Sequence, residues 1–109
     1  MGGRGSAASA FLMEVSMPKY KVAHIREQGQ DMLLFPLSHQ FGQLTDDEQS
    51  DLLEELERRA HAAGLAGGAA VFWQHGGHGH FMGPRPWHPF LRSISMSFVQ
   101  RNVNREISW

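Results

Sequence analysis

Ala69-Ala70-Val71-Phe72-Trp73-Gln74-His75-Gly76-Gly77-His78-Gly79-His80-Phe81-Met82 is the stretch on which the fold turns. A β-prone apolar run enters Gly76-Gly77 and a second run leaves it. Two glycines between such runs predict a two-residue hairpin turn, because glycine reaches positive φ without a Cβ penalty. The strands expected are 69–73 and 78–82, with Gly83-Pro84-Arg85-Pro86 ending the second. Pairing across this turn sets His75 opposite His78, Trp73 opposite His80 and Val71 opposite Met82. Directly paired residues share a face and neighbours along a strand alternate. His75, His78, His80 and Trp73 therefore fall on one side, and Phe72, Gln74 and Phe81 on the other. A one-residue slip would scatter the histidines over both.

Three imidazoles on one face carry three readings. The first is an exposed turn in which histidine is simply tolerated. The second is a ligand or partner site. The third is a metal site, with His75, His78 and His80 holding zinc or a similar divalent ion and a water in the open position. His88 is near enough in sequence to add a ligand. No carboxylate can be named to support such a site, and no other cofactor is expected.

Upstream lies the most strongly signalled element. Thr45 and Glu48 form a capping box, and Asp46 and Asp47 sit where the helix dipole favours negative charge. Leu52, Leu53, Leu56, Ala60 and Ala63 make one apolar stripe, and Gly64 followed by Leu65 suits a Schellman end. The spacing predicts a helix over 46–63. Further upstream, Tyr20–Arg26 and Asp31–Leu37 read as two strands joined around Gly29, with Pro36 marking an end or an edge. The nearly unbroken apolar run of the second suggests cover on both faces.

Downstream, Trp87, Phe90, Leu91, Ile94, Phe98 and Val99 recur at helical spacing, with Pro86 and Pro89 suited to a first turn. Ser93, Ser95 and Ser97 alternate with Ile94, Met96 and Phe98, which suits a strand instead. A helix over about 88–101 and a last strand through Val103 to Trp109 are preferred. Trp73, Trp87, His88 and Phe90 are candidates to line a ligand pocket or an interface. An indole, an imidazole and a rigid turn make an apolar wall with a polar handle; core packing is the plainer role for the same rings. His24 reads as a structural histidine.

The chain has 109 residues, 41% of them hydrophobic and 19% charged, with a net charge of −1. That is one globular domain with no pull toward nucleic acid. The charge is uneven: residues 46–57 hold seven acids and no base, while Arg85, Arg92, Arg101 and Arg105 stand against Glu106 alone near the end. A solvated helix face explains this, and a partner-binding polarity is the sharper alternative. With no cysteine, disulfides and thiolate chemistry are excluded, which fits a cytoplasmic setting. No run approaches the roughly 18 apolar residues of a membrane span. Residues 1–17 read as a flexible leader ahead of a single domain over 18–109; the alternative is that Phe11, Leu12 and Val15 dock on a neighbour. No P-loop, His-Glu-x-x-His, dinucleotide fingerprint or Gly-x-Ser-x-Gly elbow occurs.

Tyr20-Lys21-Val22-Ala23-His24-Ile25-Arg26-Glu27-Gln28-Gly29-Gln30-Asp31, with Phe41-Gly42, Ala63-Gly64-Leu65-Ala66-Gly67 and Trp87-His88-Pro89-Phe90, resembles small bacterial proteins of unassigned activity, some carried on mobile integron gene cassettes. The resemblance spans about residues 18–109. It implies a bacterial cytosolic protein and carries over no catalytic residue.

The fold expected is a two-layer α+β sandwich in the order ββαββαβ: a mainly antiparallel sheet of four or five strands with two helices on one face. An uncovered apolar face would then favour a homodimer. The function expected is a non-enzymatic binding or interaction module, working through a small pocket or a homodimer interface on a small molecule or a protein. The alternatives are a small metal-dependent hydrolase at the three histidines and a toxin–antitoxin-type partner protein.

Overall fold

A computed structural model describes residues 18–109. The expectations for residues 1–17, both the leader and the docking of Phe11, Leu12 and Val15, lie outside the described residues.

The chain is α+β. Strand β1 (Lys19–Glu27) turns through Gln28-Gly29 into β2 (Gln30–Pro36). A 3-10 segment (His39–Gln43) leads to helix α1 (Asp46–Ala62), followed by β3 (Gly68–His75) and β4 (His78–Met82). A short 3-10 turn (Arg85–Trp87) precedes α2 (His88–Ser93) and α3 (Met96–Arg101), and β5 (Arg105–Ser108) ends the order. The strands form one sheet in the order β4-β3-β2-β1-β5.

Two features depart from expectation. The sheet is mixed: β2 and β3 run parallel, while the β1–β2, β1–β5 and β3–β4 pairs are antiparallel. A parallel neighbour needs a crossover, and the 3-10 segment with α1 supplies it. The helices also do not share a face. Leu33, Phe35, Ala69 and Val71 pack with Leu56 and Ala60 of α1, whereas Met32, Leu34, Ala70 and Phe72 pack with Leu91 of α2 and Val99 of α3. Because side chains alternate along a strand, these are opposite faces. The sheet is covered on both sides, so a homodimer cannot be argued from a bare face. The two-layer arrangement with helices on one face is corrected accordingly.

The final helix is also two helices. Ser95 is extended (φ −120°, ψ 169°), and its side chain accepts from the Phe98 N–H. A serine in the middle of a helical pattern can start a new helix by capping it, and Ser95 does so.

Helix α1 forms as its sequence directs. The Thr45 side chain accepts from Glu48 N–H and the Glu48 carboxylate accepts from Thr45 N–H. At the other end, Leu65 N–H donates to Ala60 C=O and Gly64 N–H to His61 C=O, a Schellman closure. Glu57 reaches across to accept from the Ala69 N–H at 2.8 Å, tying the helix to the first residues of β3. Gly67, at φ +120°, passes so close to β2 that a Cβ there would lie 2.4 Å from the Asp31 carbonyl oxygen.

Candidate functional site

The hairpin adopts the expected register. Val71 pairs with Met82, Trp73 with His80 and His75 with His78. Gly76 and Gly77 hold φ of 61° and 81°, the two positive values that a type I′ turn requires. All three histidines are exposed. His80 stacks on Trp73, with ring centroids 5.5 Å apart and an interplanar angle of 18°. The shared face is thus present, and one of its three imidazoles lies against an indole. Among the described residues, no three His, Asp or Glu side chains gather closely enough to hold a metal ion.

The four pocket candidates are divided between the two faces. Trp73 is on the α1 side, where its ring meets Phe41 at 4.7 Å. Gly42 makes that possible: a Cβ there would sit 2.7 Å from the Trp73 Nε1. Trp73 therefore roofs the α1 core. Trp87, His88 and Phe90 are on the opposite side. Trp87 donates its Nε1–H to the Gln30 side-chain oxygen at 2.8 Å. His88 Nε2 lies 3.1 Å from the Gly83 carbonyl oxygen, and its ring stands edge-on to Phe81 at 5.2 Å. Trp87, Pro89 and Phe90 border a cleft of about 180 Å³ against Glu27 and Met32. That is below the roughly 300 Å³ at which ligand pockets begin, and His88 does not line it. Trp73, Trp87 and Phe90 are partly buried against the two core clusters.

A larger cleft was not foreseen. It holds about 520 Å³ between the β3–β4 hairpin and the α2–α3 pair. Phe72, Phe81, Leu91, Ile94 and Met96 give it apolar walls, and Gln74, Arg92 and Ser95 add polar handles. Trp73 and His80 reach its border, so the hairpin contributes to both faces. Gly79 lies opposite Gln74 on the lining side, and a Cβ at Gly79 would meet nothing within 4 Å. The missing side chain leaves the cleft open. The sequence signal for it was present in Gly79, whose place in the hairpin is not demanded by the turn. The closeness of α2 and α3 to the strands was not readable.

The acidic surface of α1 is largely solvated. Glu55 pairs with Arg58 and with Arg59, the latter at 2.6 Å. Arg59 in turn lies 5.1 Å over the Trp109 ring, which stacks on Tyr20 at 5.3 Å. His24 lies 3.7 Å from Asp31, which also binds Arg26 at 3.2 Å. Through Trp109 the first set of contacts ties α1 to β1, and the Asp31 pairs join β1 to β2, which fits the structural role expected of His24. Among the described residues, no helix is long and apolar enough to cross a membrane.

No protein-family model matches the chain, and neither the curated proteins nor the solved structures contain a match to it.

Proposed function

We propose that the protein is a non-enzymatic binding module whose ligand enters the cleft between the β3–β4 hairpin and α2–α3. The observation that carries this reading is the cleft's make-up: about 520 Å³ between aromatic and aliphatic walls, with four polar side chains, Gln74, His80, Arg92 and Ser95, at its border. Small-molecule sites have this size and this balance of walls and handles. The fitting ligand has an apolar body and one polar or anionic end, the latter directed to Arg92. No carboxylate joins the cleft's lining; its His80 ring stacks on Trp73 and its Ser95 hydroxyl caps α3. A bacterial, cytoplasmic setting of the integron-cassette type belongs to the same reading and rests on the resemblance alone.

Calorimetric titration with phenylacetate tests it. Saturable binding to the full chain, lost in Gly79→Leu, is the expected result. Binding that Gly79→Leu leaves unchanged would place the ligand elsewhere and defeat the proposal.

The metal-dependent hydrolase remains the second reading, favoured by the shared face of His75, His78 and His80. It requires the exposed tip to close around an ion. Elemental analysis of protein purified without a histidine tag decides it: stoichiometric zinc with a raised melting temperature supports the reading, and neither effect removes it. A homodimer would now use the exposed edges, β4 and β5, and light scattering that gives the mass of one chain would exclude it.

A further inference from the structure

The sheet ends in two open edges, β4 and β5, and they are unlike. An open edge is a ready template for another strand, and proteins blunt it with charge, proline or brevity. Strand β5 is four residues long and carries Arg105 and Glu106. Strand β4 runs His78-Gly79-His80-Phe81-Met82, without a lysine, an arginine, an acid or a proline. His78, Gly79 and His80 are exposed, and Phe81 and Met82 are half-buried. The histidine-rich hairpin therefore forms the unguarded edge.

The register fixes what this edge presents. In a hairpin closed by a two-residue turn, the residues flanking the turn exchange hydrogen bonds, and bonded and non-bonded pairs then alternate along the strands. His78, His80 and Met82 thus direct their backbone groups to His75, Trp73 and Val71, while Gly79 and Phe81 direct theirs outward. Among the described residues, these outward groups have no loop or turn partner. An antiparallel copy of β4 centred on His80 engages the whole strand. Gly79 then meets Phe81 of the partner subunit, His78 meets the partner's Met82, and His80 meets the partner's His80. The two-fold axis repeats the Gly79–Phe81 pair, so two hydrogen-bonded pairs form. Gly79 has room for the ring opposite it, since even a Cβ there would meet nothing within 4 Å. An aromatic side chain across from an edge glycine is a stabilising pair. Centring on Gly79 or Phe81 instead would engage less of the strand and set like on like at both positions that face outward.

We infer that two copies of this chain pair through β4 about a two-fold axis at His80, and that Phe81 of each copy walls the outer side of the other's hairpin cleft. A second copy is the fitting occupant because β4 is complementary to itself in the register that engages all of it. The two sheets run on as one, with α1 of both copies on the same side. One short strand makes a small interface, so the dimer is weak. The pairing stands whether or not the cleft binds a ligand.

The chain holds no cysteine, so single cysteines in the full chain report the geometry. His80→Cys sets two thiols across a non-bonded pair, where Cβ atoms come within about 4.5–5.5 Å, and a small adjustment allows a disulfide. Under mild oxidation this variant should cross-link about tenfold faster than Ser108→Cys, an exposed site on the β5 edge. Light scattering on the native chain should rise from the mass of one chain toward that of two as concentration increases. His80→Lys sets two ammonium groups face to face and should weaken the dimer about fivefold, whereas Ser108→Lys should leave it unchanged. With labelled and unlabelled chains mixed, isotope-filtered NMR should show contacts between the Phe81 ring and Gly79 of the partner subunit. No ligand enters these readings, so they can fail while phenylacetate binding stands, and the reverse. The mass of one chain at every concentration, cross-linking no faster in His80→Cys than in Ser108→Cys, a dimer indifferent to His80→Lys, or contacts in another register would overturn the inference.

Discussion

The face of the sheet under α1 and the face under α2 and α3 are closed by different means. On the first, one helix of 17 residues carries a capping box, a Schellman end and a stripe of leucines and alanines. On the second, two helices of six residues each meet at an extended serine. Both faces bury comparable strand residues, since Leu33, Leu34 and Phe35 are all 0% exposed. What differs is how far the cover extends. A long helix spans most of its face, and Trp73 packs beside it against Phe41. Two short helices touch the hairpin at Phe81 and leave an open strip beside it, the 520 Å³ cleft. On this comparison the well-capped face supplies stability and the interrupted one supplies access.

The comparison can be broken or sharpened by mutation. The largest effect is expected at the joint that both faces share. Gly67→Ala drives a Cβ against the Asp31 carbonyl in a backbone conformation that L-residues avoid, and should cost about 3 kcal/mol or more in urea unfolding. Next come matched core truncations. Leu56→Ala under α1 should cost about 3–4 kcal/mol, in the middle of the range for buried leucine. Leu91→Ala, equally buried but bordering the cleft, should cost about 2–3 kcal/mol, because water can enter the space it leaves. Equal costs would mean that the second face is as tightly closed as the first. Smaller still is the loss of a cap. Thr45→Ala removes the α1 capping box and should cost about 1 kcal/mol by the same measurement. Ser95→Ala uncaps only the six-residue α3 and should cost about 0.5 kcal/mol, together with faster amide exchange at Phe98.

Residues whose meaning is local were legible. Gly76-Gly77 fixed the hairpin and its register, and Thr45, Glu48 and Gly64 fixed the ends of α1. The sheet's parallel pair was not legible, because nothing between Leu37 and Gly68 states where the second strand will dock. A clue lay in the run Met32-Leu33-Leu34-Phe35, which reads as covered on both faces and so conflicts with helices on one face only. Ser93, Ser95 and Ser97 gave both a helical and a strand reading, and the resolution, a helix broken and recapped at Ser95, was neither. Trp87 and His88 make good pocket residues by type, but their hydrogen bonds to Gln30 and Gly83 show them holding the fold. The open cleft is defined by where side chains are missing, above all at Gly79, and an absent side chain carries little signal in a sequence.

The most direct test of the hairpin cleft as the binding site is an amide chemical-shift map with phenylacetate, on the full chain and on Gly79→Leu. A leucine at Gly79 has room for its Cβ and a backbone outside the left-handed region, so folding stability should change by no more than about 1 kcal/mol. The account predicts saturable shifts gathered at Gln74, Gly79, His80, Ser95 and Met96 in the native chain, and their disappearance in the variant. Shifts scattered over the surface, or a map that survives Gly79→Leu intact, would contradict it.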